Sequence, residues 1–485
     1  MTSRRQVLAS AGAAIVLGFN ATAQAWISGG SSSSFHRLPG LDGVVLTDPA
    51  SLAPYATDAG NIVHETPVAV LIPGSVEDIQ KMVRFCKSLN IKVAARGQGH
   101  TTFGQSQVKR GLVIDMAPIN TVYSIAPTSA NVGAGLKWNE LVPQTTAVGL
   151  TPPILTGYIG LSVGGTLSVG GISPTIRFGA QVDYVRELDV VTGEGELVTC
   201  SRFHHRDLFE AVLAGLGQFG IITRAVIELV PAKPMSRNYT LNYADAATFF
   251  ADFRTLLERG ELDDVYNFGL PDGAGGWIYQ LTAAKHFDPS APPDDAHLFR
   301  GLSMPPSALV ATDSTYLEYT LRVDVVIEFF RQIGLWDGVQ HPWFDVFLPD
   351  HAVEQYVPQV MATLTPEDVG PTGFLLLLPK RRALLDKPML RVPRRGEWVF
   401  LFDILTAAPA PGRDPDFESR MIARNRRLFE KARAVGGYRY PIGTLPFDRR
   451  DWVLHYGELV PRLLLLKHRF DPKGILTPGP GIFAS

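Results

Sequence analysis

Between residues 93 and 106 the chain reads VAARGQGHTTFGQS, and residues 160–171 read GLSVGGTLSVGG. Glycine at this density interrupts any regular element, so both stretches are loops hung on a surrounding framework. Gly97, Gly99 and Gly104 free the backbone to approach a ligand closely and to aim N–H groups at anionic oxygen. His100 sits inside the first of these turns. A lone loop histidine is ordinarily a solvated or hydrogen-bonded bystander. Two glycine loops in one domain, however, can grip a diphosphate and a ring together, which gives His100 a functional reading.

The framework around the loops is α+β. Val68 to Ile72 reads as a strand stopped by Pro73. Ser75 then caps a helix whose Val76, Ile79, Met82, Val83 and Cys86 recur at helical spacing. Lys92 to Ala95 and Leu112 to Ile114 read as strands, Leu136 to Val148 as a helix, and Leu188 to Val191 with Leu197 to Thr199 as a hairpin. A third glycine group, GLGQFG at 215–220, matches the dinucleotide fingerprint only formally. It follows the helix DLFEAVLA and leads into the strand IITRAVIEL, the reverse of the strand-to-helix order that a nicotinamide site requires. It reads instead as a helix cap and a close-packed turn into an edge strand.

From Lys233 to Gly436 the texture shifts to aromatic-rich runs, such as Thr248 to Leu257 and Val323 to Leu335, joined by proline-rich connections. A second domain is expected there. Beyond it lie a helix around Asp451 to Lys467 and the tail FDPKGILTPGPGIF. The expected organisation is a signal over 1–25, a leader over 26–59, a first domain over 60–232, a second over 233–436 and a closing segment over 437–485.

The signal rests on Arg4 and Arg5, a short and mildly apolar run, and the small-residue triplet Ala23, Gln24, Ala25. The paired arginines fit the twin-arginine export route, and the apolar run falls short of the roughly 20 residues that span a bilayer. No membrane span is expected once the signal is cleaved. The formal net charge is -2, with both signs interspersed, so no basic stripe marks the chain for nucleic acid. Cys86 and Cys200 are too few for a disulfide framework or a cysteine metal site. Cys86 is expected as a buried thiol, with pairing to Cys200 left open. No metal ligand set is expected.

Taken together, these segments resemble the cytokinin dehydrogenases, a branch of the FAD-linked oxidase fold shared with vanillyl-alcohol oxidase. RGQGHTTFGQS resembles that family's RGxGHS loop, SVGGTLSVGGIS its VGGTLSNAGIS segment, and ELDVVTGEGELVTCS its ELDVVTGxGE hairpin. GLGQFGIITRA, HPWFDVFLP and FDPKGILTPGPGIF match further family segments, so the likeness runs from about residue 60 to the end. The resemblance implies a PCMH-type FAD-binding domain of two subdomains, an α+β substrate (cap) domain, and a C-terminal segment that returns to the FAD domain.

It further implies FAD bonded covalently to His100. Ala95, Gly97, Gln98, Gly99, Thr101, Gln105 and Ser106 would line the cofactor, and Ser162, Ser168, Ile172 and Ile222 would continue its site. Tyr440 and Thr477 fall at flavin-contact positions, while Pro480 replaces the family's Gln. Neither cysteine stands where berberine-bridge relatives form a second link.

One departure matters more. The family's WTDYLHLTVGG carries an Asp that accepts the substrate's proton, and LTGYIGLSVGG places Gly157 there. Asp345, where the family has Asn beside the tryptophan of its HPWLN motif, is the best substitute, and Tyr440 is a second candidate. Trp343 offers a flat face to an unsaturated substrate. His204 and His205 are expected to face solvent. The expected activity is hydride transfer from a small amine or alcohol to FAD, with oxygen or another electron acceptor closing the cycle. Alternatives are a sugar, polyol or allylic alcohol oxidase, or a flavin-carrying binding protein without catalysis.

Overall fold

The computed structural model describes residues 34–483 and, ahead of them, the strands Ile15–Asn20 and Ala25–Gly29. The paired arginines and most of the glycine-serine leader lie outside the described residues.

Two small sheets build the first domain. One carries β1 (Val44–Leu46), β2 (Ala69–Ile72), β3 (Val93–Arg96) and β4 (Leu112–Asp115) in the order β1-β2-β4-β3. β2, β4 and β3 run parallel, which the α1 crossover (Val76–Leu89) between β2 and β3 makes possible. The periodicity read from sequence is the buried stripe of α1: Ile79, Met82, Val83 and Cys86 face the core, and the Ser75 hydroxyl accepts from Asp78 N at 3.3 Å. β1 adds antiparallel to β2 and comes from the stretch read as leader.

The other sheet is antiparallel, with β5 (Val122–Ala126), β6 (Ser129–Gly133), β7 (Val185–Val191), β8 (Leu197–Ser201) and β9 (Ile221–Glu228) in the order β8-β7-β9-β6-β5. The expected hairpin is the β7–β8 pair. β9, read from sequence as an edge strand, is the central strand. Its near-continuous burial, Ile221, Ile222, Thr223, Ala225 and Ile227, fits that position. Helices α2 (Trp138–Thr146), α3 (Val163–Val169) and α4 (Arg206–Val212) pack against this sheet. α2 is shorter than the expected 136–148.

The second domain is an eight-stranded antiparallel sheet. Its strands are β10 (Met235–Tyr243), β11 (Asp264–Pro271), β12 (Trp277–Phe287), β13 (Val310–Thr315), β14 (Phe344–Pro349), β15 (Phe374–Arg381), β16 (Trp398–Leu405) and β17 (Tyr438–Arg439), ordered β13-β10-β12-β11-β15-β16-β14-β17. Helices α5 (Ala246–Arg259), α7 (Val353–Met361) and α8 (Pro415–Ala434) share a core with one face of the sheet; α6 (Tyr316–Gln332) lies toward the first domain.

The strand period of two sorts each strand between these faces. On β16, Trp398, Phe400, Phe402 and Ile404 join the helices' core. Leu401, Asp403 and Leu405 line a cavity between the domains.

The expected helix over 451–467 is two helices, α9 (Arg449–Tyr456) and α10 (Val460–Phe470), separated where Gly457 takes a φ of 55°. The tail then re-enters the first domain: Val93 N donates to Ile475 O at 2.8 Å and Thr477 N to Val93 O at 2.7 Å. Both cysteines are free and buried, in different core clusters.

Candidate active site

The cavity has a volume of about 370 Å³ and takes walls from both domains. Every residue that the resemblance assigns to FAD lines it: Ala95 through Thr101 apart from Arg96, then Gln105, Ser106, Ser162, Ser168, Ile172, Ile222, Tyr440 and Thr477. The first loop leaves β3 and turns at a close approach under the second glycine stretch. That stretch, expected as a loop, folds into α3 because its two apolar-small repeats sustain a helix between Ser162 and Gly170. A Cβ on Gly97 would stand 2.1 Å from Ser162 Oγ, so a larger residue there would have to push the Ser162 hydroxyl aside.

From Gly97 to Thr101 no backbone N–H donates to another described backbone or side-chain group. The hydroxyls of Thr101 and Ser106 are buried without a partner. Buried donors in native proteins are almost always satisfied. A row of free N–H groups with orphaned hydroxyls beside it therefore matches a ligand rich in anionic oxygen, and the diphosphate of FAD fits that description.

Other residues of the set are already occupied. Gln105 accepts from Phe103 N at 2.8 Å and donates to Pro441 O and Ile442 O, both at 3.2 Å, binding the loop to the C-terminal segment. Ser168 Oγ donates to Gly164 O at 2.7 Å, and Thr477 Oγ1 to Gly217 O at 3.0 Å. These three shape the walls while their side chains bond within the protein.

His100 faces the cavity amid aromatic rings. Tyr158 lies 5.1 Å away, Trp343 5.3 Å, and Trp336 stacks at 6.2 Å between centroids. Burial, aided by His341 and Arg331, pushes its pKa down to about 3. The imidazole is thus neutral across the physiological range, with a nitrogen lone pair free to form a bond. His204 and His205 are exposed, as expected.

On the opposite wall Asp345 and Asp403 face each other as directly opposed residues of β14 and β16. They are 3% and 4% exposed, and apart from the hydrogen bond between the two carboxyl groups, both oxygens of Asp345 and Oδ1 of Asp403 have no partner. Burial raises the pKa of each, and for Asp403 the neighbouring charge of Asp345 adds to it. The hydrogen bond with Asp403, and after it the charge of Arg439, pull Asp345 back down. Two like charges this close cannot both ionise readily, so the pair retains a proton near neutral pH. Gly443 makes room, since a Cβ there would meet Asp345 Oδ2 at 2.1 Å.

Tyr440 follows directly: its N–H donates to Asp345 O at 3.1 Å, and its hydroxyl accepts from Gly171 N at 3.1 Å. Burial pushes the phenol up, which keeps it protonated and makes it a hydrogen-bond donor.

Gly157 also lines the cavity. A Cβ there would find nothing nearer than Val323 Cγ2 at 3.8 Å, so the space beside it is open. Sequence reasoning missed Asp403, Arg322, Trp336 and His341, all on this cavity. A sequence signal existed for Asp403, a charge interrupting the apolar run WVFLFDIL, and for His341, which opens the family-like segment HPWFDVFLP.

Comparisons with known proteins agree with this geometry. Residues 67–201 match the model of an FAD binding domain, and residues 239–483 match that of the cytokinin dehydrogenase FAD and cytokinin binding domain. An uncharacterized oxidoreductase, ORF5 of the fasciation locus of Rhodococcoides fascians, is 36% identical over 90% of this chain and 99% of its own. Cytokinin dehydrogenase 4 of Oryza sativa subsp. japonica is 34% identical over 91% and 90%, and cytokinin dehydrogenase 4 of Arabidopsis thaliana 31% over 91% and 93%. The chain belongs to the cytokinin dehydrogenase family of FAD-dependent oxidoreductases.

Proposed function

We propose that this oxidoreductase takes a hydride from a small amine or alcohol onto FAD tethered covalently through His100, and that Asp345 accepts the accompanying proton. The observation that carries the reading is the Asp345 carboxylate, buried, bonded only to Asp403 and set in the same cavity as the two glycine-rich stretches. Bound FAD supplies the hydride acceptor. The protein's part is to orient the substrate, exclude water and receive the proton.

Oxidising C–N or C–O needs a destination for the N–H or O–H proton, and a positioned base contributes about 10²- to 10⁴-fold. The family's base is absent at Gly157, and the carboxylate pair lies on the same cavity. Asp403 keeps the proton of the pair, leaving Asp345 the more readily ionised member. Tyr440, held protonated, orients rather than abstracts. Trp343 and Trp336 give a planar or unsaturated group a surface.

Support for the tether comes from a neutral, cavity-facing imidazole at the family's position. The chain is further proposed to be exported with its cofactor already loaded, on the paired arginines at its start, and to pass electrons to oxygen or another acceptor.

The test has two parts. Acid precipitation of the purified yellow protein is expected to leave the flavin in the pellet; release of all flavin contradicts the tether. Anaerobic mixing with simple amines, allylic alcohols, sugars and N6-alkylated adenines is expected to bleach the flavin with amines or alcohols. Bleaching by sugars alone, or by nothing, contradicts the substrate reading.

A further inference from the structure

We propose that the substrate carries a carboxylate, held by Arg322 on the α6 wall of the cavity that contains Asp345 and Asp403. This rests on the oxidoreductase reading above and narrows its substrate to an apolar molecule with the oxidisable amine or alcohol at one end and an acid group at the other.

Arg322 lines the cavity beside Val323, Ile327 and Phe330 of the same helix, with Phe268 and Leu376 of the cap sheet among the other walls. Its guanidinium carbon stands 3.9 Å from the centroid of the Tyr319 ring, and Nη1 donates to Tyr319 O at 2.7 Å. Among the described residues no carboxylate approaches it within the 4.0 Å of an ion pair. Asp264, an acid whose charge it feels, is engaged by the Tyr319 hydroxyl.

Arginine is charged at every accessible pH, and a charge in a largely apolar cavity is costly unless a counterion meets it. The Tyr319 carbonyl and the Tyr266 hydroxyl accept hydrogen bonds from the guanidinium, and neither supplies a counter-charge. Stacking on Tyr319 fixes the guanidinium plane, which suits the two parallel hydrogen bonds that a carboxylate accepts.

The helix is itself held in place. Asp324 accepts from Ile159 N and from Asn139 Nδ2, each at 2.9 Å, fastening α6 to the segment that carries Gly157. A carboxylate fits better than a phosphate, because a dianion would add a second charge to a cavity that already holds the ionisable Asp345 and Asp403.

Calorimetric titration of the purified holoprotein with phenylacetate and with phenylacetamide tests the proposal, since the two differ only at the group that Arg322 would read. The acid is expected to bind at least about tenfold more tightly. Arg322→Gln is expected to abolish that preference, and Arg322→Lys to keep part of it. Equal affinity for the two compounds, binding of neither, or an acid preference that survives Arg322→Gln overturns it. The wild-type comparison stands even if a variant fails to fold. Acid preference without bleaching by any amine or alcohol would leave this site standing and remove the catalytic reading. Bleaching without acid preference would do the reverse.

Discussion

Single residues decide what this cavity does. Gly157, which the resemblance sets at the position of the family's proton acceptor, lies in open space and without a positive φ, so a Cβ there meets no steric bar. Gly157→Asp is expected to fold normally and to raise the rate of bleaching by N6-alkylated adenines at least about tenfold, as a restored base would. No gain would mean that more than the base separates this chain from its cytokinin-oxidising relatives. His100→Ala is expected to give a folded protein whose flavin comes off in acid; flavin that stays in the pellet would place the tether elsewhere.

His100 and Asp345 were legible in the sequence because each lies inside a short motif whose neighbours are recognisable. Arg322 was not, since it sits in an ordinary helical run and acquires meaning only when the helix is laid over the cavity.

At the scale of elements, the pairing of β14 with β16 creates the acidic pair. Period-two alternation puts both carboxylates on a face otherwise made of residues such as Phe374, Leu376, Leu401 and Leu405. Local pattern cannot reveal such a pair, because the register that opposes Asp345 to Asp403 spans a long stretch of intervening chain. The pair also links stability to pH. A carboxyl whose folded pKa lies above its unfolded value, near 3.9, favours the folded state fully below that value and loses this contribution as pH rises through the folded pKa.

Wild-type stability should therefore fall as pH rises above about 4 relative to Asp403→Asn, by up to about 1.4 kcal/mol per pH unit, in parallel urea titrations. Parallel pH profiles would contradict the raised pKa. The single helix expected over 451–467 failed for a different reason. The apolar pattern continues across Gly457 to Leu459, but Gly457 leaves helical φ, and hydrophobic spacing alone does not register a one-residue break.

Across the whole molecule, the C-terminal tail returns to the first domain. Ile475 and Leu476 are buried in the core of the parallel sheet, and the hydrogen bonds to Val93 fix them at the base of the glycine loop. Leu476→Ala is expected to cost about 2–5 kcal/mol of unfolding free energy, read from urea denaturation, because the vacated volume lies where two distant segments meet. A change well below that range would mean that the tail contributes little to the first domain. The fit of the domains around one cavity was beyond sequence reading, because it depends on which faces the two sheets turn toward each other.

The most direct test of the central claim is the anaerobic rate of flavin reduction by an amine or alcohol that bleaches the wild-type protein, measured by stopped flow in wild type and in Asp345→Asn. Reduction slowed at least about tenfold in the variant, with the flavin still bound, is the predicted result. An unchanged rate would contradict it and leave the proton acceptor to be sought elsewhere on the cavity wall.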